Sequence, residues 1–194
     1  MKIIAATGNQ GKIVEIKKIF SPLGFDVVTQ KEAGFDIDVE ENGKTFEENA
    51  LIKARAIAQL CDDYVISDDS GLCVDALGGR PGIYSARYAG ENTPYSEKIK
   101  RLLEELSPFP DKSAHFMTSV AFITPDGREI TANGVVYGHI VDKPQGNNGF
   151  GYDPIFYSDE LKKTFAMATL EEKNSISHRG RALRALYEII KEEV

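Results

Sequence analysis

Two adjacent aspartates place the tightest constraint on how this chain can fold. Asp68 and Asp69 follow the apolar run Tyr64-Val65-Ile66, which has the pattern of a short buried strand. Ser70-Gly71 comes next, so the sequence predicts that the strand gives way to a polar turn there. Buried carboxylates repel each other and are costly to desolvate, and a divalent cation such as Mg²⁺ would remove the repulsion. The simpler alternative is a solvated turn in which an aspartate caps the next segment.

Composition limits the classes of protein and partner. The 194 residues are 42% hydrophobic and 27% charged, which predicts a globular chain that we treat as one domain over residues 1–194. The net charge of −7 argues against nucleic acid or an anionic membrane as a partner. We found no apolar run of membrane-spanning length and no export signal, so Cys61 and Cys73 are expected to be buried free thiols in a reducing cytoplasm.

The order of periodic segments predicts an α/β fold with a mixed sheet. The chain opens with a predicted strand over residues 2–6, which is followed by a glycine-containing loop and a helical repeat up to Phe20. Hairpin-like strands and a terminal amphipathic helix come late. The further predicted strands cover residues 25–29, 115–124 and 129–141, and the further predicted helices cover residues 46–60, 96–106 and 177–192.

The first candidate binding motif is the loop Thr7-Gly8-Asn9-Gln10-Gly11-Lys12. Backbone N–H groups before a helix N-terminus suit a phosphate, and Lys12 adds positive charge. The loop is not a Walker A motif, which is longer and ends in Lys-Ser/Thr. An ordinary strand-to-helix turn capped by Asn9 explains the same residues.

An acidic segment precedes the helix predicted over residues 46–60. It ends at Glu40-Glu41, and one of these carboxylates would join Asp69 around a metal ion. The alternative is a solvated surface loop. Thr45 and Glu48 have the spacing of a capping box at the start of that helix.

Two later motifs suit a flat ring. In Gly149-Phe150-Gly151-Tyr152-Asp153-Pro154, glycines let a ring approach and Phe150 offers a stacking face, unless the aromatic residues fill the core. His178 and Arg179 follow the predicted N-cap Ser177, where the helix dipole disfavours cations. Together with Lys173 they predict a ligand site, and the alternative is a solvent-facing basic cluster.

These motifs, in this order, resemble the inosine triphosphate pyrophosphatase family, also called the Ham1-like noncanonical purine nucleoside triphosphatases. The resemblance implies an elongated α/β fold, with a mixed sheet flanked by helices, two lobes, a central nucleotide cleft and a homodimer. The matching residues are Thr7–Lys12, Thr45–Ala50, Asp68–Leu72, Gly79–Arg87, Phe150–Pro154 and Ser177–Arg179.

The resemblance also implies an activity and residue roles. The expected reaction converts ITP, dITP and XTP to the monophosphate and pyrophosphate with Mg²⁺ as cofactor, which would remove these compounds from the nucleotide pool. Asp69 would be the catalytic base, and Glu41 and Asp69 would hold the metal. The expected substrate-binding residues are Thr7, Gly8, Asn9, Gln10, Gly11, Lys12, Ser70, Phe150, Gly151, Tyr152, Asp153, Lys173, His178 and Arg179.

Physical chemistry adds one specificity argument and leaves two alternatives open. Hypoxanthine and xanthine carry a 6-carbonyl acceptor, which a donor such as Arg179 would recognise over the 6-amino group of adenine. A pyrophosphatase acting on modified pyrimidines is one alternative. A non-catalytic nucleotide sensor is the other, although it would not need the pair Asp68-Asp69.

Overall fold

The computed structural model describes residues 1–191 and consists of strands that alternate with helices along the chain. The strands are β1 (Lys2–Ala5), β2 (Asp26–Thr29), β3 (Tyr64–Val74), β4 (Ser113–Ile123), β5 (Glu129–Ile140), β6 (Phe156–Ser158) and β7 (Lys163–Thr164). The helices are α1 (Gln10–Phe20), α2 (Phe46–Ala58), α3 (Tyr95–Leu106), α4 (Leu170–Ile176) and α5 (His178–Ile190).

One seven-stranded sheet has the order β2-β1-β3-β4-β5-β6-β7. Strand β1 pairs in parallel with β2 and with β3, while β6 pairs antiparallel with β5 and with β7. The predicted mixed sheet is therefore confirmed. By internal contacts the chain divides into two compact units.

Unit 1 comprises Met1–Asp69, Thr118–Gly134 and the chain from Arg179 on. Strand β1 is buried on both faces, as expected for a parallel strand between helical layers. Ile3 packs in one apolar cluster with residues of α1 and α5, whereas Ile4 packs in another with residues of α2. Helix α1 follows β1 after a short loop, so its N-terminus lies near the carboxyl end of that strand.

Unit 2 comprises Ser70–Met117 and Val135–His178. It has one apolar core, to which the end of β3 contributes Leu72 and helix α3 contributes Leu102. Phe116, Phe156 and Phe165 complete this core through edge and stacked ring contacts.

The predicted turn at Ser70-Gly71 is wrong, because β3 continues through it to Val74. Gly71 is required because the strand there packs closely against the segment that contains Gly82 and Ser85. A Cβ atom on Gly71 would lie 2.2 Å from the carbonyl oxygen of Gly82 and 2.6 Å from Ser85 Oγ. Asp68 and Asp69 are consequently strand residues, and both are buried.

Most other element boundaries agree with the periodicity to within a few residues. The helix predicted over 46–60 ends at Ala58, and the one predicted over 177–192 begins at His178 and ends at Ile190. Its predicted last residue, Glu192, lies outside the described residues. Cys61 and Cys73 are free thiols, of which Cys73 is buried and Cys61 only partly so. Within residues 1–191, no helix has the length and apolar character needed to cross a membrane.

Candidate active site

Asp68 is the centre of a buried ionic cluster in unit 1. Its Oδ2 atom lies 2.9 Å from Lys12 Nζ and accepts a hydrogen bond from Arg179 Nε at 3.1 Å. Arg179 Nη1 also donates to Glu15 Oε2 at 3.2 Å. The first turns of α1 and α5 thus bring two cations to the middle of β3. The alternative of a solvated turn at the aspartate pair is wrong, because the chain's own cations compensate the buried charge.

The two aspartates have opposite electrostatic environments. Burial acts to raise the pKa of Asp68, but the charges of Lys12 and Arg179 outweigh it and hold that pKa well below its usual range. Burial raises the pKa of Asp69, and the charge of Glu41 acts in the same direction, against Lys53 and a hydrogen bond from Asn49. Neighbouring carboxylates with divergent pKa values take different chemical roles. Asp68 suits an ionised anchor, and Asp69 suits a proton acceptor.

Lysine 53 links the acidic segment to the central strand. Its Nζ atom donates to the backbone oxygen of Asp68 at 2.7 Å and lies 3.2 Å from Glu41 Oε1. Sequence reasoning missed Lys53 and Asn49. They lie one helical turn apart on α2, and Asn49 is on its buried face. The available signal was Asn49, because a polar residue within an apolar stripe needs a partner.

The loop before α1 is a capped turn. Asn9 is the N-cap, and its side chain accepts from the backbone N–H groups of Gly11 at 2.9 Å and Lys12 at 3.4 Å. Asn9 N–H in turn donates to Thr7 Oγ1 at 3.2 Å. The capped turn is therefore present. Gly8, Asn9, Gln10 and Gly11 are nevertheless exposed, so a ligand can reach the loop.

A second buried ion pair organises the aromatic loop of unit 2. Lys173 Nζ lies 2.5 Å from Asp153 Oδ2, which also accepts from the backbone N–H of Phe150 at 2.9 Å. The same Lys173 Nζ is 4.6 Å from the centroid of the half-exposed Phe150 ring. Gly149 has φ +76°, and a Cβ atom there would lie 2.1 Å from Asp153 Oδ2. A glycine at this position is what lets the loop wrap around the carboxylate.

The remaining predicted residues of unit 2 occupy different surroundings. Tyr152 fills the core and donates its hydroxyl to the Ser85 carbonyl at 3.0 Å, so it is the aromatic residue for which the core alternative holds. His178 is buried and stacks on Phe116 at a centroid distance of 4.8 Å. A Cβ atom on Gly151 would lie 3.6 Å from the Tyr95 ring, and Ser70 is partly buried in β3.

Burial rejects one interpretation of the basic motif. Lys173, His178 and Arg179 are all buried, so they do not form a solvent-facing cluster. Arg179 belongs to unit 1, where Asp68 and Glu15 accept from it, while Lys173 and His178 belong to unit 2. Recognition of a purine 6-carbonyl by Arg179 would compete with these bonds.

Comparison with known proteins decides the family. The Ham1 family model matches residues 3–189. The chain belongs to the Ham1 family. Two similar curated relatives are the dITP/XTP pyrophosphatases of Caldanaerobacter subterraneus subsp. tengcongensis, 50% identical over 98% of this chain and 96% of the relative, and of Bacillus subtilis, 47% identical over 96% of each. The Staphylococcus aureus Ham1 protein superposes with a TM-score of 0.93 at 45% identity over 100% of both chains. The resemblance seen in the sequence motifs is thereby confirmed.

Proposed function

We propose that this Ham1 family member hydrolyses dITP, ITP and XTP to the nucleoside monophosphate and pyrophosphate. The observation that carries the proposal is the close similarity, over nearly the whole chain, to relatives named dITP/XTP pyrophosphatase. The enzyme would remove deaminated purines from the nucleotide pool, and we place it in the cytoplasm as a homodimer. The nucleotide cleft implied by the resemblance stays a prediction.

The residues of unit 1 suit the polyphosphate. Thr7, Gly8 and Asn9 lead into α1, and Gln10 and Gly11 begin its first turn, where the helix dipole favours an anion. Lys12 lies in the same turn, and its side chain is 15% exposed although it pairs with Asp68. We propose that an arriving phosphate shares this ammonium group with Asp68.

Glu41 and Asp69 fit a magnesium site. They supply hard oxygen ligands in the same unit, where Lys53 lies 3.2 Å from Glu41 Oε1 and donates to the carbonyl of Asp68, the residue before Asp69. Asp68 Oδ1 is buried without a hydrogen-bond partner in residues 1–191, as expected near a cation site. Within that range no group of three His, Cys, Asp or Glu residues is placed to hold a metal ion. A magnesium ion here would therefore need waters and substrate phosphates as its other ligands. When bound, Mg²⁺ would neutralise charge on the phosphate oxygens.

Asp69 is the proposed general base. Water attacks the α-phosphorus, its proton passes to the Asp69 carboxylate, and the bond from the α-phosphorus to the bridging oxygen breaks to release pyrophosphate. Asp68 is unsuited to this step because its pKa is held low by Lys12 and Arg179. Ser70, the next residue of β3, is the proposed neighbouring contact to substrate.

The residues of unit 2 suit the purine ring of the substrate. The exposed face of Phe150 offers stacking, and Lys173, held by Asp153, offers donors to a carbonyl. Gly151 permits close approach, His178 sits on Phe116, and Tyr152 supports the loop from the core. Because Arg179 is bound to Asp68, we propose that Lys173 is the donor to the 6-carbonyl and that Arg179 serves the phosphate end.

A substrate panel tests the proposal. The purified protein, with Mg²⁺, should hydrolyse dITP, ITP and XTP with kcat/KM about 10²-fold or more above dATP, because adenine lacks the 6-carbonyl acceptor. A modified pyrimidine triphosphate that outperforms dITP would favour the pyrimidine alternative. Tight binding of dITP without turnover would favour the sensor.

A further inference from the structure

Asn49 is a buried amide that both donates and accepts a hydrogen bond in unit 1. Its Nδ2 atom donates to Asp69 Oδ2 at 3.0 Å, and its Oδ1 atom accepts from the backbone N–H of Gly43 at 2.9 Å. The side chain is fully buried. Gly43 lies two residues after Glu41, so one side chain connects the segment that carries Glu41 to the strand position of Asp69.

The local structure leaves little freedom in this link. Thr45 caps α2 by accepting from Glu48 N–H at 3.1 Å, and Glu48 Oε2 accepts from Lys44 N–H at 2.6 Å. These bonds fix the first turn of the helix, and therefore the position of Asn49. A Cβ atom on Gly43 would lie 2.7 Å from Asn49 Oδ1, so only glycine allows the approach that the hydrogen bond requires.

The chemistry of the side chain explains why an amide stands here. A carboxylate could accept from Gly43 but could not donate to Asp69, and an apolar residue of equal size could do neither. A donor on Oδ2 fixes the orientation of the Asp69 carboxylate. Groups that orient metal-binding carboxylates in this way change metal affinity without touching the metal.

We infer that Asn49 is a positioning residue that holds the Glu41 segment and the Asp69 carboxylate in the arrangement needed to bind a divalent cation. The inference rests on the proposed metal site and adds to it a residue that acts through both of its ligands. Loss of such a support costs about 10–100-fold in metal affinity.

The test is a calorimetric titration of the metal-free protein with Mn²⁺ alone, for wild type, Asn49→Ala and the matched control Ser67→Ala. Ser67 donates its hydroxyl to the Ala50 carbonyl at 2.5 Å and so joins the same helix to the same strand through a bond that includes neither proposed ligand. Asn49→Ala should weaken Mn²⁺ binding at least tenfold, and Ser67→Ala should leave it unchanged. Amide exchange should speed up at Gly43 only in Asn49→Ala.

Gly43→Ala provides a second perturbation of the same link if Asn49→Ala does not fold, and it should also weaken Mn²⁺ binding. The inference would be overturned if Asn49→Ala or Gly43→Ala bound Mn²⁺ with wild-type affinity, or if Ser67→Ala weakened binding equally. It would also be overturned if the wild-type protein took up no Mn²⁺. A separate assay of dITP hydrolysis by the wild type distinguishes these outcomes from failure of the proposed function, since the Mn²⁺ titration requires no turnover.

Discussion

Arg179 Nε donates a hydrogen bond to Asp68 Oδ2 at 3.1 Å, although 111 residues separate the two in sequence. This bond joins the last sequence motif to the central one within unit 1. It gives Asp68 a second cation besides Lys12 and makes it the anchor of the cluster. Asp69 is the residue proposed for proton transfer.

Asp68→Asn should strongly destabilise the fold. The substitution leaves Lys12 and Arg179 as buried cations without their shared carboxylate, and breaking a buried pair in this way costs about 3–5 kcal/mol. Urea unfolding measures the change. The control is Glu129→Gln, which breaks the largely exposed Arg55–Glu129 pair and should cost about 1 kcal/mol or less. Equal stability of wild type and Asp68→Asn would contradict the anchor role.

The stabilising effect of Asp68 should depend on pH in the acid range. Its folded-state pKa lies below the ordinary value of about 3.9, so its contribution is fully present above that value and is lost as the pH falls through the folded-state pKa. The difference in unfolding free energy between wild type and Asp68→Asn should be constant above about pH 5 and shrink below about pH 4. Measurements in a chelator remove any metal contribution. A difference that grows on acidification would reverse the predicted sign.

Asp69→Asn should retain nucleotide binding and lose nearly all turnover. The amide cannot accept the proton of the attacking water, and loss of a general base costs about 10²–10⁴-fold in rate. Single-turnover assays with dITP measure the rate, and equilibrium binding of dITP in the presence of Ca²⁺ measures affinity. Normal turnover would remove Asp69 from the mechanism.

Gly149→Ala should impair base recognition in unit 2. A Cβ atom would collide with Asp153 Oδ2, and the left-handed backbone adds strain, so the Asp153–Lys173 pair cannot keep its geometry. We expect a rise in KM for dITP of about tenfold or more, equivalent to about 1.4 kcal/mol. Gly127→Ala is the matched control, because Gly127 has φ +84° but no atom within 4 Å of the added Cβ. Equal KM values for the two variants would show that the loop around Asp153 does not set base affinity.

The order of strands and helices was predictable because periodicity is a local property. Alternating or helical spacing located β5 and α2 closely, and the cap at Asn9 was visible as a residue type before a helix. Strand β3 was cut short because Ser70-Gly71 has turn composition. Gly71 is needed because the backbone of Gly82 packs directly against it. That contact comes from a different segment of the chain, so the local sequence does not indicate it.

The candidate site was predictable in its residue types but not in its pairings. Lys12, Asp69 and Arg179 were named from local motifs, yet nothing local indicates that Arg179 reaches Asp68 rather than a base. Lys53 was overlooked because a lysine on a helix is usually solvated. Its contact with the Asp68 carbonyl exists only once α2 packs on β3.

In the proposed reaction the protein cleaves the bond between the α- and β-phosphates of a deaminated purine triphosphate. Incubation with dITP and Mg²⁺, followed by ³¹P NMR of the products, tests it most directly. One pyrophosphate and one dIMP should appear for each dITP consumed. Release of orthophosphate with dIDP, or no consumption of dITP, would contradict it.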